Sequence, residues 1–322
     1  MQRNIETMKS VLILLSTYNG EAFLCEQLNS LYAQQNVNIH ILVRDDGSSD
    51  KTCLLLEEFS RERGNMTIIK GVNKGAALSF FELMRYAAEN IKPHDYYAFC
   101  DQDDIWDDNK LFCAVQYLEK DNSENRLYCC NFRVIDKSGK IILCDDSQYF
   151  DNINFKTVMF RNSCLGCSMV FSNALLYKSL GIFKYIESPE YQKDYLALHD
   201  VWMIELACLL DSYVYLDSEK HFSYRQHGGN VTTYSESSYI NRIKGVIKRF
   251  RETPNYFSIW AKIVKSILNN KLSEEKRFFL DSLINYRKSW FNTIKLAMDY
   301  SFVFKERYIQ IYALISIMLR KF

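Results

Sequence analysis

The chain has 322 residues, 48% hydrophobic and 25% charged, with only 3 prolines and 11 glycines. That balance suits a globular protein with a sizeable core and excludes disordered linkers, collagen-like repeats and low-complexity arrays. The 40 Lys/Arg nearly cancel the 39 Asp/Glu, yet residues 1–235 hold 23 against 32 and residues 236–322 hold 17 against 7, so an acidic body carries a basic tail.

Val11–Leu15 (VLILL) is a continuous apolar run of strand length, the pattern of a strand buried on both faces. Ser16-Thr17-Tyr18-Asn19-Gly20 breaks it, and Leu24, Leu28 and Leu31 then recur at helical spacing. Ile39–Val43 is a second strand, followed by the turn Asp45-Asp46-Gly47-Ser48-Ser49-Asp50 and a helix over Lys51–Arg63. Met66–Ile69 is a third strand. Asn73-Lys74-Gly75 opens a third helix, with Ala77, Phe81, Met84 and Ala88 inward, which ends before Pro93. Tyr97–Cys100 is the fourth strand. Strands and helices alternating at this spacing predict an α/β fold with a parallel, doubly wound sheet, whose ligands bind beyond the carboxyl ends of the strands. Thr17, Asp45, Asp46, Asn73, Asp101 and Asp103 all fall at such ends.

After Lys120 the pattern is mixed. Leu127–Val134 and Ile141–Leu143 read as strands joined by the turn Asp136–Gly139, and Ser168–Phe171 as another. His199-Asp200 begins a helix, and Tyr213–Leu216 and His221–Tyr224 read as two short strands. Beyond Tyr234 the chain reads as helical, with the stripe Ile240, Ile243, Val246, Ile247 and Phe250. We expect a catalytic domain over 1–235 and a basic, amphipathic helical region over 236–322.

The stretch Tyr96–Trp106 (YYAFCDQDDIW) concentrates the chemistry, because Asp101, Asp103, Asp104 and Asp107 follow directly on a buried strand. Carboxylates crowded in this way repel one another or are held neutral unless a cation joins them, and Mg²⁺ is commonly bound by one or two carboxylates plus substrate phosphates. The plainer reading is a solvated acidic loop with a helix cap at Asp107 or Asp108. Ten cysteines are scattered without a framework, and Cys164-Leu-Gly-Cys167 has no second pair at zinc spacing. No GxGxxG follows the first strand and no GxxxxGK[ST] occurs, which disfavours a dinucleotide dehydrogenase and a P-loop enzyme.

Four features stand in order: STYNG after the first strand, RDDGSSD after the second, DQDDIW after the fourth, and HDVW about a hundred residues on. Together they closely resemble the family-2 inverting glycosyltransferases of GT-A fold. DQDDIW, with GCSMVF, LHDVW and YRQHGGN, resembles the rhamnosyltransferase-like branch that builds bacterial surface polysaccharides. The resemblance covers roughly residues 10–232. It implies that Thr17 and Tyr18 line the base and ribose of a nucleotide sugar, with Asn19, Asn73 and Gly166 also counted as donor-binding. It implies that one of Asp45 and Asp46 bonds the base, and that Asp101 and Asp103, the ends of a DXD motif, touch ribose and metal respectively. Asp200 matches the catalytic base, and Arg225 and His227 match a loop near the diphosphate. One departure stands out: the family shows arginine before Asn-x-Gly, whereas this chain has Gly71-Val72 before Asn73.

The expected activity is transfer of a sugar, rhamnose by the branch, from a nucleotide-diphosphate donor to a growing glycan on a polyprenyl-type lipid, assisted by Mg²⁺ or Mn²⁺. One carboxylate base without a carboxylate nucleophile implies a single displacement with inversion. Asp200 as a simple N-cap, a nucleotidyltransferase, and a non-catalytic nucleotide-sugar- or glycan-binding module are the alternatives. The first ten residues lack an apolar core of signal-peptide length, so a cytoplasmic enzyme is expected. The basic tail suits an anionic surface, read as the inner membrane face rather than nucleic acid, or else a homo-oligomer contact. Ile311–Leu319 is apolar but far short of the roughly 20 residues that span a bilayer.

Overall fold

The structure is a computed structural model and describes residues 8–143, 153–158, 164–186, 198–228, 256–300 and 307–320. Its first half alternates strand and helix: β1 Ser10–Thr17, α1 Leu24–Tyr32, β2 Asn38–Asp45, α2 Thr52–Arg63, β3 Met66–Lys70, α3 Ala76–Asn90 and β4 Tyr96–Cys100. There follow β5 Ile105–Trp106, α4 Lys110–Leu118, β6 Arg126–Ile135, β7 Ile141–Leu143, α5 Phe155–Val158, β8 Met169–Ser172, α6 Asn173–Ser179, α7 Phe183–Ile186, α8 His199–Leu209 and β9 Tyr213–Arg225. Four helices close the described chain: α9 Tyr256–Leu268, α10 Glu274–Asn285, α11 Trp290–Tyr300 and α12 Arg307–Met318.

Among the described residues one mixed sheet runs β3-β2-β1-β4-β8-β6-β9-β5, with β7 on β6. The expected parallel half is there: β1 pairs parallel with β2 and β4, and β2 with β3. β8 then enters antiparallel to both β4 and β6, while β6 and β9 are parallel. Val11–Leu15 has no exposed surface, as a central strand covered on both faces requires. Its alternate residues divide between two cores. Val11, Ile13 and Leu15 pack with the leucines of α1 and with Leu56 and Leu111. Leu12 and Leu14 pack on the other face, where Phe80, Phe81, Trp202 and Met203 lie.

Two expectations change. Tyr213–Leu216 and His221–Tyr224 are a single strand, β9, whose register to β6 skips from Asp217 to Lys220. The polar DSEK run that suggests a turn is a bulge, and pairing resumes beyond it. Neither Asp107 nor Asp108 caps α4, whose N-cap is Asn109. Asp107 pairs with Arg133, and Asp108 accepts from Gln35 Nε2 at 2.6 Å.

The expected domain boundary at 235 and the stripe from Ile240 to Phe250 lie outside the described residues. The core extends past that point: Trp260 and Val264 of α9, Phe279, Leu280 and Leu283 of α10, and Leu296 and Tyr300 of α11 join the cluster containing Trp202 and Ile204 of α8. Trp260 Nε1 donates to the buried carboxyl of Glu205 in α8, and Lys276 Nζ donates to the Leu209 carbonyl at 2.9 Å. The helical region is therefore packed on the helix that carries Asp200.

Candidate active site

Turns at the carboxyl edge of the parallel half form one wall of the site, and they are lashed together from within. Asp45 is 2% exposed: Oδ1 accepts from Thr17 Oγ1 at 3.1 Å and Ser48 Oγ at 2.6 Å, and Oδ2 from the amides of Gly47 and Ser48 at 3.2 and 2.9 Å. Burial works against its charge, but the Ser48 hydroxyl and amide, the Cys53 thiol and the Thr17 hydroxyl outweigh it and hold the carboxyl below its usual range. Asp46, equally buried, pairs with Arg44 and accepts from the amides of Lys74 and Gly75 at the entrance of α3. An acid at a helix N-terminus satisfies orphan amides and complements the helix dipole. Thr17, Asp45 and Asp46 thus shape the wall. Tyr18, Asn19 and Asn73 are the exposed residues of this group. Asn19 has a φ of 47° and accepts from the Ser49 amide at 2.9 Å, joining the two turns.

Arg44 answers the departure at Gly71-Val72. Its guanidinium is buried against Gly71, where a Cβ would sit 2.5 Å from Nη2, and it donates to the Val72 carbonyl at 3.1 Å. A cation from β2 therefore occupies the ground just before Asn73.

The middle of the acidic stretch is set by Gln102, which sequence reasoning passed over. Its side-chain amide accepts from the Tyr18 amide at 2.8 Å and donates to the Tyr18 carbonyl at 2.9 Å, strapping the acidic loop to the exit of β1. Asp101 and Asp103 are partly buried and Asp104 wholly so. Burial, then the charges of Asp103 and Asp200, push the Asp101 carboxyl up to about 7, against a hydrogen bond from Cys167. Burial and the charges of Asp103 and Asp101 raise Asp104 well above the carboxylate range. Asp104 Oδ2 is buried, and ligand atoms of Asp101, Asp104 and Cys167 lie within 4.8 Å of one another. The sequence signal for Asp104 was its place in DQDD. That for Cys167 was its place in GCSMVF, which says nothing of a thiol beside two acids.

The end of β9 closes the loop from behind. Arg225 has no exposed surface: Nε donates to the Asp103 carbonyl at 2.8 Å, Nη1 to the Lys137 carbonyl at 3.2 Å and Nη2 to Glu26 at 2.7 Å, while its own amide donates to Asp104 Oδ1 at 3.2 Å. The structure makes it a strut under the acidic loop. Two residues on, His227 turns toward the site, with Nε2 2.7 Å from Asp103 Oδ2 and the ring 4.8 Å from that of Phe23.

Asp200 stands on the first turn of α8. The N-cap of α8 is Leu198, so Asp200 is not the cap. Its Oδ1 accepts from the Val201 amide at 2.7 Å. Burial pushes its carboxyl up to about 6, against hydrogen bonds from the amides of Val201, Asp200 itself and Gly166. Gly166 thus belongs to the placement of Asp200: a Cβ there would meet His199 Nε2 at 2.6 Å and Asp200 Cβ at 3.4 Å. His199 is a buried wedge, stacked on Phe80 at 3.8 Å and edge-on to Phe99 at 4.6 Å, and burial pushes its pKa down to about 3. The arrangement offers a carboxylate–imidazole pair able to hold a divalent cation on one side and a carboxylate of raised proton affinity on the other.

A family model described as Glycosyl transferase family 2 matches residues 12–176. The chain is 28% identical over 313 residues to the dTDP-rhamnosyl transferase RfbG of Shigella flexneri, covering 96% of this chain and 100% of that protein. It is 27% identical over 184 residues to UDP-Glc:alpha-D-GlcNAc-diphosphoundecaprenol beta-1,3-glucosyltransferase WfgD of Escherichia coli, covering 56% of this chain and 66% of that one. The crystal structure of S. aureus TarS 1–349 superposes with a TM-score of 0.56 at 15% identity, over 97% of this chain and 80% of that one, which is a likeness of fold. With the family model running from Leu12 to Leu176, just over half of the 322 residues, the chain belongs to glycosyl transferase family 2.

Proposed function

We propose that this glycosyltransferase is metal-dependent and moves a sugar, with inversion, from a nucleoside-diphosphate donor to a lipid-linked glycan. The observation that carries the reading is the proximity of two acid groups, one in the acidic loop and one on α8. The Asp101 carboxyl feels the charges of Asp103 in the acidic loop and of Asp200 on α8, so the two sides converge on it. The donor set fits a divalent cation such as Mg²⁺ or Mn²⁺: oxygen and imidazole ligands converge at Asp103 and His227, beside carboxyls that crowding keeps raised. When bound, that cation supplies charge stabilisation to the leaving diphosphate. Asp200 takes the proton of the acceptor hydroxyl as its oxygen bonds to the anomeric carbon and the bond to the diphosphate breaks. One displacement on the face opposite the leaving group inverts the centre. Tyr18, exposed at the rim, offers a ring face to the base.

The dTDP-rhamnosyl transferase of similar length makes dTDP-rhamnose the first donor to test, and the diphosphoundecaprenol named for the other relative makes a polyprenyl-diphosphate glycan the first acceptor class. Such an acceptor would be met at the inner face of the plasma membrane. No helix among the described residues is long and apolar enough to cross a membrane.

The test is a panel of nucleotide sugars with Mg²⁺ or Mn²⁺, following nucleoside diphosphate release. One donor of the panel should release diphosphate with an acceptor present. Release of pyrophosphate instead would indicate nucleotidyl transfer and overturn the reading. Asp103→Asn should weaken metal-dependent donor binding at least about tenfold in titration calorimetry while the melting curve is kept. Unchanged donor and Mn²⁺ affinity would remove Asp103 from the metal site.

A further inference from the structure

The last two described helices present apolar residues to solvent as well as to the core. In α11, Thr293, Leu296 and Tyr300 are buried, while Phe291, Ile294 and Met298 occupy the opposite face at i, i+3, i+7 spacing, Phe291 being 76% and Met298 69% exposed. In α12, Ala313, Ser316 and Ile317 are buried, while Ile311, Ile315 and, one residue past the helix, Leu319 are exposed at i, i+4, i+8. A surface helix ordinarily carries its polar residues on the side away from the core, and contiguous exposed apolar surface marks a place for a partner or a membrane.

The two helices run antiparallel. At one end the Arg320 guanidinium lies 4.4 Å from the centre of the Trp290 ring, and its Nε is 3.2 Å from Thr293 Oγ1. At the other end Gln310 Nε2 donates to the Tyr300 carbonyl. The apolar residues are set among cations. Arg287 and Lys288 are exposed just before α11, and Lys295 Nζ lies 3.8 Å from the centre of the Phe278 ring. Over residues 286–300 and 307–320 the sequence holds Arg287, Lys288, Lys295, Arg307 and Arg320 against Asp299 alone.

We propose that this face of α11 and α12 docks on an anionic lipid bilayer. Aromatic and aliphatic side chains flanked by Arg and Lys are what an interfacial helix needs: the apolar groups enter the acyl boundary, and the long cationic stems reach back to headgroups. The charge pattern selects lipid over a second copy of the chain. A two-fold contact through this face would bring its cations against the same cations of the partner, with one acid to offset them. Anionic headgroups complement Arg287, Lys288, Lys295 and Arg320. The proposal concerns where the protein sits and stands whatever acceptor it glycosylates.

The chain's four tryptophans supply a local probe. Trp106, Trp202 and Trp260 are at most 3% exposed, and Trp290 is 58% exposed beside the face. The full-length protein is floated with phosphatidylcholine vesicles and with vesicles rich in phosphatidylglycerol, some carrying acyl-chain bromine. Flotation should be at least about tenfold greater with the anionic vesicles, should fall when salt shrinks the Debye length to about 3 Å, and should quench Trp290. The double variant Phe291→Ser with Ile315→Ser should lose flotation and quenching while keeping the wild-type melting curve. Absence of flotation at low salt, flotation with Trp290 unquenched, or undiminished flotation of the variant would each overturn the proposal. So would a dimer in sedimentation that the double variant dissolves, or shielding of Trp290 from iodide in the free monomer.

Discussion

Asp200 must carry its charge where the protein resists it. Its carboxyl is pushed up to about 6 by burial, so at neutral pH it is ionised yet readily takes a proton, the state a general base requires. The same shift sets a stability trend. A carboxyl whose folded pKa lies above its unfolded value favours the fold only while protonated. That contribution is present below about pH 4 and lost as pH rises through about 6. Asp200→Asn keeps an acceptor for the Val201 and Gly166 amides and has no charge to desolvate. Turnover should drop about 10²–10⁴-fold with donor affinity kept, while stability at pH 7 rises by roughly 1–3 kcal/mol. Steady-state kinetics and urea melts on one preparation would check both. Near-wild-type turnover would remove the base assignment. In the wild type, turnover should fall as pH drops below about 6. The part proposed for Asp200 rests on HDVW by resemblance alone, since spacing cannot separate a base from any other acid in a helix's first turn.

At the scale of elements, Asp200, the proposed base, is aimed by the contact between the turn Gly166–Ser168 and the start of α8. No side chain fits between them: a Cβ on Gly166 would sit 2.6 Å from a histidine ring itself stacked on Phe80. The ring cannot retreat, so Gly166→Ala should displace the first turn of α8 and Asp200 with it. A misplacement of about 1 Å is enough for a loss near 10²-fold in turnover. The pH profile should keep its shape, because the group that titrates is still there, and a profile moved along with the rate would point to a changed environment instead. The sequence marks Gly166 as a residue of interest and cannot say that the interest is space. The parallel strands, by contrast, were plain, because burial on both faces leaves the unbroken apolar runs VLILL and YYAFC. β9 was not, since its bulge inserts a charged run in mid-strand.

Across the whole molecule, Glu205 is where the catalytic layer and the C-terminal helices are tied. Burial pushes its carboxyl up to about 8, against the indole hydrogen bond from Trp260. The sign is that of Asp200: the protonated form favours the fold, and its contribution disappears as pH climbs from the ordinary carboxylate range through about 8. Stability should therefore fall by up to about 1.4 kcal/mol per pH unit across that window. Glu205→Gln retains an acceptor for the indole and should flatten the slope. Denaturant midpoints for the two proteins between about pH 5 and about pH 8 would show it. Identical slopes would place the sensitivity elsewhere. Sequence gave no warning of this tie, which joins residues 55 positions apart through one hydrogen bond. The strut beneath the acidic loop is longer still. Asp103 and Asp104 are held by Arg225, more than a hundred residues downstream, and β5 forms only by pairing with β9. During synthesis from the N-terminus the acids emerge well before the strand that fixes them, and closing so long a loop has an entropic cost that local contacts do not share. A nascent chain stopped short of β9 would display the whole DQDD signature and still lack the rigid floor that positions it, so the acidic loop takes its final shape only after Arg225, more than a hundred residues downstream, has emerged.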